Sequence, residues 1–218
     1  MKLYPLNLDI ENQNVVVIGG GEVALRKIRG LLEAGALVKV IAPEICAEVE
    51  ELSRRGEVVW LREKFSAELL GDEIILIAAT NNPEVNKLAA ELARAKKILV
   101  NVVDEAGGNF NVPSRIRRGE FLLTLSTGAN SPAFSKFVRQ MLEAEFDENF
   151  GAGLKIISQR RREVKRLLPN SKARKIFWEN FLTREIWEHL KSGDLDKLEE
   201  KINHALESLR LESHDSTD

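Results

Sequence analysis

Cysteine is nearly absent from this 218-residue chain: Cys46 stands alone. A lone thiol forms no internal disulfide, and no cysteine cluster exists to hold zinc, so a reducing cytoplasm is the expected setting. Histidine is scarce as well. His189, His204 and His214 are far apart and lack metal-ligand spacing, so no dedicated metal site is expected. No run approaches the roughly 20 apolar residues of a transmembrane helix. The N-terminus lacks the long apolar stretch of a signal peptide, and no membrane partner is expected. Charge of one sign is missing too. With 32 basic and 34 acidic side chains the formal net charge is −2, and nothing global points to nucleic acid. Internal repeats and low-complexity tracts are absent.

What is present is a mixed chain, 44% hydrophobic and 30% charged, long enough for one or two domains with a real core. Its first half alternates strand-like and helix-like segments. Val15–Ile18 is an unbroken apolar run, the pattern of a strand buried on both faces. Val23–Leu32 has helical spacing and Gly35 follows as a stop. Strands are expected at Leu37–Ile41, Val58–Leu61, Glu73–Ala79 and Lys97–Val103, with a helix over Pro43–Leu52. A further helix should start at Pro83, capped by Asn82 with Glu84 in its first turn. This rhythm reads as right-handed parallel crossover units. After residue 104 comes a polar, turn-rich stretch, "DEAGGNFNVPSRIRRGE", then a strand at Phe121–Leu125. Ser131 should cap a helix opening at Pro132, with Phe134, Phe137, Val138, Met141 and Leu142 as its apolar stripe. From about residue 148 everything reads as helix, and Leu195, Leu198, Ile202, Leu206 and Leu209 form an amphipathic face.

The stretch "NVVVIGGGEVALRK" carries chemistry. Gly19-x-Gly21-x-x-Ala24 follows a strand and opens a helix, the context a dinucleotide fingerprint needs. Gly19 makes the turn, Gly21 lets a pyrophosphate approach, and Ala24 lets helix pack on strand. Gly20, Glu22 and Val23 complete the candidate phosphate site at the helix N-terminus. A ligand-free glycine bend is the alternative. The acidic residue that often ends the second strand is missing: "VIAPE" puts Ala42 and Pro43 there, with Glu44 further along. Arg26 and Lys27 are either solvated helix surface or a greeting for a 2′-phosphate. Thr80 and Asn81 close the fourth strand at the sheet edge where ligands of open α/β folds bind, and Asn101 faces either the cofactor or the domain joint.

"VVVIGGGEVALRK", "AATNNPEVN", "NVVDEAGGNFNVPS" and "RGEFLLTLSTGANSPA" occur in an order that resembles the precorrin-2 dehydrogenases of siroheme synthesis, over about residues 1–150. The resemblance implies an α/β fold: a Rossmann-type NAD-binding domain (1–112), a small α+β middle dimerisation region (113–147) and a helical C-terminal region (148–218). It implies a homodimer and NAD-dependent oxidation of precorrin-2, a tetrapyrrole, to sirohydrochlorin. Some members also insert ferrous iron, a transient partner. The family's catalytic aspartate falls on Asp104 of "NVVD", where a turn-capping role is the alternative. An ordinary aspartate, of pKa ~3.9, is a weak base, so burial has to raise it. One departure is visible: two glycines often follow "ST" in the family, and this chain has Gly128-Ala129.

A substrate rich in carboxylates calls for local positive charge. Arg115, Arg117 and Arg118 follow the candidate loop, and Arg115 and Arg118 are taken as substrate contacts with Ser126 and Thr127 of "LSTG". Residues 155–175 hold nine Lys or Arg and one acid, Glu163. Two other functions compete. A non-enzymatic NAD(H)-sensing module would share the glycine turn but needs neither the polar loop nor the basic cluster. Nucleic-acid binding through 155–175 lacks interleaved aromatics and a known module.

Overall fold

The computed structural model describes residues 3–103, 107–128 and 130–215. It divides into two compact units, 1–112 and 113–218.

The first unit is built on five parallel strands: β1 (Asn14–Ile18), β2 (Leu37–Ile41), β3 (Val58–Leu61), β4 (Ile75–Ala78) and β5 (Leu99–Val102). Their order across the sheet is β3-β2-β1-β4-β5. Helices α1 (Glu22–Leu32), α2 (Ala47–Arg54) and α3 (Pro83–Ala95) cover it. β1 shows why its residues are all apolar. Val15 and Val17 pack with Ala24, Leu25 and Ile28 of α1 and Val49 and Leu52 of α2. Val16 and Ile18 pack on the opposite face with Ala89, Ala90 and Ala93 of α3. The strand order reverses between β1 and β4, so the carboxyl ends of these two strands border the crevice where open α/β sheets take ligands. The parallel, doubly covered sheet expected from the sequence is therefore the one observed.

Beyond shifts of one or two residues at element ends, two segments differ from expectation. The helix expected from Pro43 begins at Ala47, because residues 42–46 seat on the glycine turn, with the Cys46 amide donating to the Gly20 carbonyl at 2.8 Å. The "SRIRR" segment, expected as loop, is strand β6 (Ser114–Arg118), antiparallel to β7 (Phe121–Leu125). Only Ile116 of β6 is fully buried, so the strand has almost no hydrophobic alternation of its own. A two-residue turn closes it, with Gly119 at φ +58°, as a II′ hairpin requires.

In the second unit this hairpin is followed by α4 (Pro132–Glu145), α5 (Glu148–Leu167), α6 (Ser171–Phe181), α7 (Arg184–Ser192) and α8 (Leu195–Asp215). Ser131 caps α4 as expected, its hydroxyl accepting from the Phe134 amide at 3.2 Å. Leu198, Ile202 and Leu206 of α8 form a core with Val164, Phe181 and Ile186. Phe121, Phe146, Phe150 and Trp187 make a second, aromatic cluster that ties β7 to α5 and α7. No helix among the described residues is long and apolar enough to cross a membrane.

Candidate dinucleotide site

β1 ends at Ile18 and α1 begins at Glu22, so three glycines must turn the chain. They do so for different reasons. Gly19 takes φ +109°, and a Cβ there would lie 2.4 Å from the Ala79 carbonyl oxygen. Its amide donates to Ile41 at 3.0 Å. At Gly20 a Cβ would lie 2.3 Å from Ile45 Cγ2 and 2.7 Å from the Glu44 carbonyl oxygen. The packing of the protein itself therefore demands both residues. Gly21 is different: its φ of −85° suits any residue, and a Cβ would meet nothing within 4 Å. Nothing in the chain requires glycine there, whereas a phosphate approaching the backbone does.

The helix behind it is prepared for an anion. No side chain caps α1, α2 or α7, while Asn82, Ser131, Asp147 and Asn170 cap α3, α4, α5 and α6. The amides of Glu22, Val23 and Ala24 have no intrahelical acceptor, and the helix dipole favours negative charge in front of them. These residues fit the pyrophosphate of a dinucleotide.

Around this turn, Ala42 is buried, its amide bonded to the Leu61 carbonyl at 3.2 Å and its carbonyl accepting from Trp60 Nε1 at 2.9 Å. Pro43 and Glu44 are exposed beside it. On the other side Thr80 and Asn81 follow β4. Asn86, a residue the sequence reading passed over, holds Thr80 in place. Its Oδ1 accepts from the Thr80 amide (3.2 Å) and hydroxyl (2.7 Å), and its Nδ2 donates to the Thr80 carbonyl (3.0 Å). The signal was available: Asn86 occupies a position in register with Ala89, Ala90 and Ala93 on the inner face of α3, where a polar side chain needs partners. Asn81 is exposed.

Asn101 is buried, and its Nδ2 donates to the Phe110 carbonyl at 3.0 Å. The Val100 amide donates to Asn109 Oδ1 at 2.8 Å, and Arg94 binds the Gly107 carbonyl. Asp104 lies outside the described residues. The residue before it is fixed: the Val103 amide bonds to the Ala78 carbonyl at 3.0 Å, beside the strand ends that border the glycine turn.

The remaining candidates belong to the second unit. Arg118 Nε donates to the Phe146 carbonyl and pairs with Glu148, each at 3.2 Å. Arg115 sits on β6 opposite Thr124. The Thr127 hydroxyl lies 3.0 Å from that of Ser135, and the Ser126 hydroxyl accepts from the Gly128 amide at 3.2 Å. Arg118, Ser126 and Thr127 thus build the hairpin and the entry to α4. Within residues 155–175, Arg160 pairs with Glu199 at 2.9 Å and Lys175 with Glu179 at 3.6 Å, while Arg161, Arg162, Lys165 and Arg166 are exposed. A groove of about 1350 Å³ between α6, α7 and α8 is walled by Ile176, Phe177 and Ile186 with His189 and His204 on its lining. Its Lys201 is already paired with Glu185 at 2.8 Å, which holds that carboxyl below its ordinary range.

Comparison with known proteins agrees with this geometry. Residues 6–114 match the family model described as "Putative NAD(P)-binding", and residues 150–206 match the one described as "Sirohaem synthase dimerisation region". The chain is 35% identical over 213 residues to the siroheme synthase of Xylella fastidiosa (strain M12), covering 97% of this chain and 43% of that protein. The siroheme synthase of Zymomonas mobilis subsp. mobilis is 36% identical over 208 residues, covering 95% and 44%. The chain therefore spans less than half the length of these curated relatives. Among solved structures, "SirC, precorrin-2 dehydrogenase" aligns with a TM-score of 0.76 and 27% identity, over 93% of this chain and 98% of that one. With the glycine turn, the doubly covered sheet and both family matches in sequence order, the chain belongs to the family of precorrin-2 dehydrogenases and siroheme synthase N-terminal domains.

Proposed function

We propose that this protein oxidises precorrin-2 to sirohydrochlorin with NAD, and that it works as a homodimer. One observation carries the dinucleotide half of the reading: Gly21, a glycine no protein contact requires, stands before an uncapped helix at the point where the strand order reverses. The likeness to a precorrin-2 dehydrogenase along nearly all of that chain supports the substrate.

The reaction takes a hydride and a proton from a reduced tetrapyrrole, and bound NAD supplies the hydride acceptor. The chain supplies the rest. Gly21 and the first amides of α1 hold the pyrophosphate, and Ala42, Pro43 and Glu44 border its adenosine side. Asn86 fixes Thr80, and with it the floor of the crevice. Asp104, next after Val103, is the proposed proton acceptor. Arg115 is the proposed cation for substrate carboxylates, with Arg118, Ser126 and Thr127 shaping the surface it stands on. The proposed division of labour is a dinucleotide domain to 112, a middle dimerisation region over 113–147 and a helical region from 148. The dimerisation match at 150–206 supports pairing that extends into the helices.

An anaerobic assay with enzymatically made precorrin-2 and NAD tests this, run with and without ferrous iron as a second substrate. Growth of the sirohydrochlorin spectrum together with NADH is the expected result, and Asp104→Ala should abolish it while NADH still binds. Conversion with iron beyond an enzyme-free control would add chelation. Absence of turnover by protein that binds NADH would replace the enzyme by a nucleotide sensor.

A further inference from the structure

We infer that Glu22 and Glu48 are the residues that exclude a 2′-phosphate, so that this site takes NAD in preference to NADP. The inference rests on the dinucleotide reading above. Many dinucleotide sites make this choice with one acid at the end of the second strand, bonded to the ribose hydroxyl. Here that position is Ala42, buried and with both backbone groups engaged by Leu61 and Trp60. The acids come instead from two helices. Glu22 opens α1 and Glu48 lies in the first turn of α2. A carboxylate oxygen of each and the Cys46 sulfur all lie within 4.8 Å of one another.

Their placement is fixed by the turn itself. The Cys46 amide bonds to the Gly20 carbonyl, and the Glu44–Ile45 backbone lies directly over Gly20. The loop that follows β2, which borders the adenosine ribose in such folds, is therefore locked to the loop that receives the pyrophosphate. Glu22 and Glu48 stand at the two helix starts that this lock brings together. Neither has an ion-pair partner among the described residues. Arg26 is exposed on α1, in its second turn.

A 2′-phosphate would bring close to two negative charges against this pair. Two unit charges at 4 Å in water differ from none by about 1 kcal/mol, so each carboxylate should weaken NADPH by roughly five- to tenfold at low salt. NADH has no charge at that position. Molar salt should narrow the gap, since the screening length falls from about 8 Å at physiological ionic strength to about 3 Å at 1 M.

The test is the ratio of NADPH to NADH dissociation constants, read from nucleotide fluorescence with the full chain. Wild type should favour NADH by at least tenfold, and the double variant Glu22→Gln/Glu48→Gln should cut that ratio at least tenfold. Glu91→Gln, an exposed acid on α3, should leave it unchanged. A wild-type ratio near one, a double variant that keeps the wild-type ratio, or an equal shift from Glu91→Gln would each overturn the inference. Binding of neither nucleotide by wild type would instead remove the dinucleotide reading on which it rests.

Discussion

Asn86 reaches back from the first turn of α3 and grips Thr80 from both sides of its peptide, donating to the carbonyl at 3.0 Å and accepting from the amide at 3.2 Å. A backbone segment at the sheet edge is thereby paired by a side chain, as a strand would pair it. Asn86 is 1% exposed, and removing its amide takes the Asn86 partners from the part-buried Thr80 amide and carbonyl. Asn86→Leu keeps the volume and removes every bond. It should cost about 1–3 kcal/mol in urea unfolding and weaken NADH binding more than the same loss of stability made elsewhere, for instance by Val164→Ala in the helical core. Equal NADH affinity in the two variants would show that the Thr80 turn does not border the cofactor.

Gly19 and Gly21 should respond to alanine in opposite ways. At Gly19 the new methyl meets the Ala79 carbonyl, and the backbone is in a region alanine avoids. Gly19→Ala should fold poorly, with a depressed Tm. At Gly21 the methyl enters open space and φ is ordinary. Gly21→Ala should keep the wild-type Tm and lose NADH affinity by tenfold or more, because the methyl stands where the pyrophosphate approaches the amides. Thermal melts with and without NADH separate the two outcomes: Gly19→Ala melts low in both, and Gly21→Ala loses only the ligand-induced rise. Retained NADH stabilisation in Gly21→Ala would mean that the open space serves no phosphate.

The parts of this molecule that were legible in sequence share one property: their burial shows in a run of side chains. β1 and β4 are packed on both faces and read as continuous apolar segments, β2 is broken only by Lys39, and Asn82-Pro83-Glu84 announces a helix start by chemistry alone. The glycine motif was visible, but not its division of labour. Gly20 is required by Ile45 and Glu44, contacts from a loop whose position no spacing rule gives. β6 was missed because a strand held mainly by its hairpin partner needs only one buried residue, Ile116. Asn86 carries no motif of its own, and only its register with Ala89, Ala90 and Ala93 marks it as an inward-facing group. Long-range pairing hides from local pattern, and the candidate site is made of such pairings.

α4 presents an apolar face to solvent. Phe134, Phe137 and Met141 are each 57% exposed, at spacings of three and four residues, so they share one side of the helix. They belong to the apolar stripe expected from the sequence, and in the single chain only Val138 and Leu142 of that stripe are half-buried. A second copy of the chain is the proposed cover. Phe137→Glu combined with Met141→Glu should convert the dimer to monomer in analytical ultracentrifugation without unfolding it, since neither side chain supports the fold. An unchanged sedimentation coefficient would move the dimer contact to the helices from α5 onward.

The start of α8 carries an ion pair whose contribution should depend on pH at both ends of the scale. Lys197 Nζ lies 2.8 Å from Asp194 Oδ2, and Asp194 Oδ1 accepts from the Lys197 amide at 3.4 Å. The hydrogen bond from Lys197 holds the Asp194 carboxyl below its ordinary value of 3.8, and Asp194 raises the Lys197 ammonium above its ordinary 10.5. Folding therefore favours the charged form of each. The Asp194 part is present above pH 3.8 and is lost as pH falls through its lower folded value. The Lys197 part is fully present below pH 10.5 and is lost as pH rises through its higher folded value. Asp194→Asn keeps the oxygen that accepts from the amide and removes the charge. Urea unfolding of wild type and Asp194→Asn should differ by a constant, salt-sensitive amount through the neutral range, and the curves should converge below the ordinary carboxylate value. Both groups are exposed, so the difference should be small and should vanish in high salt. A gap that persists in molar salt would mean that the pair does not act through screenable charge.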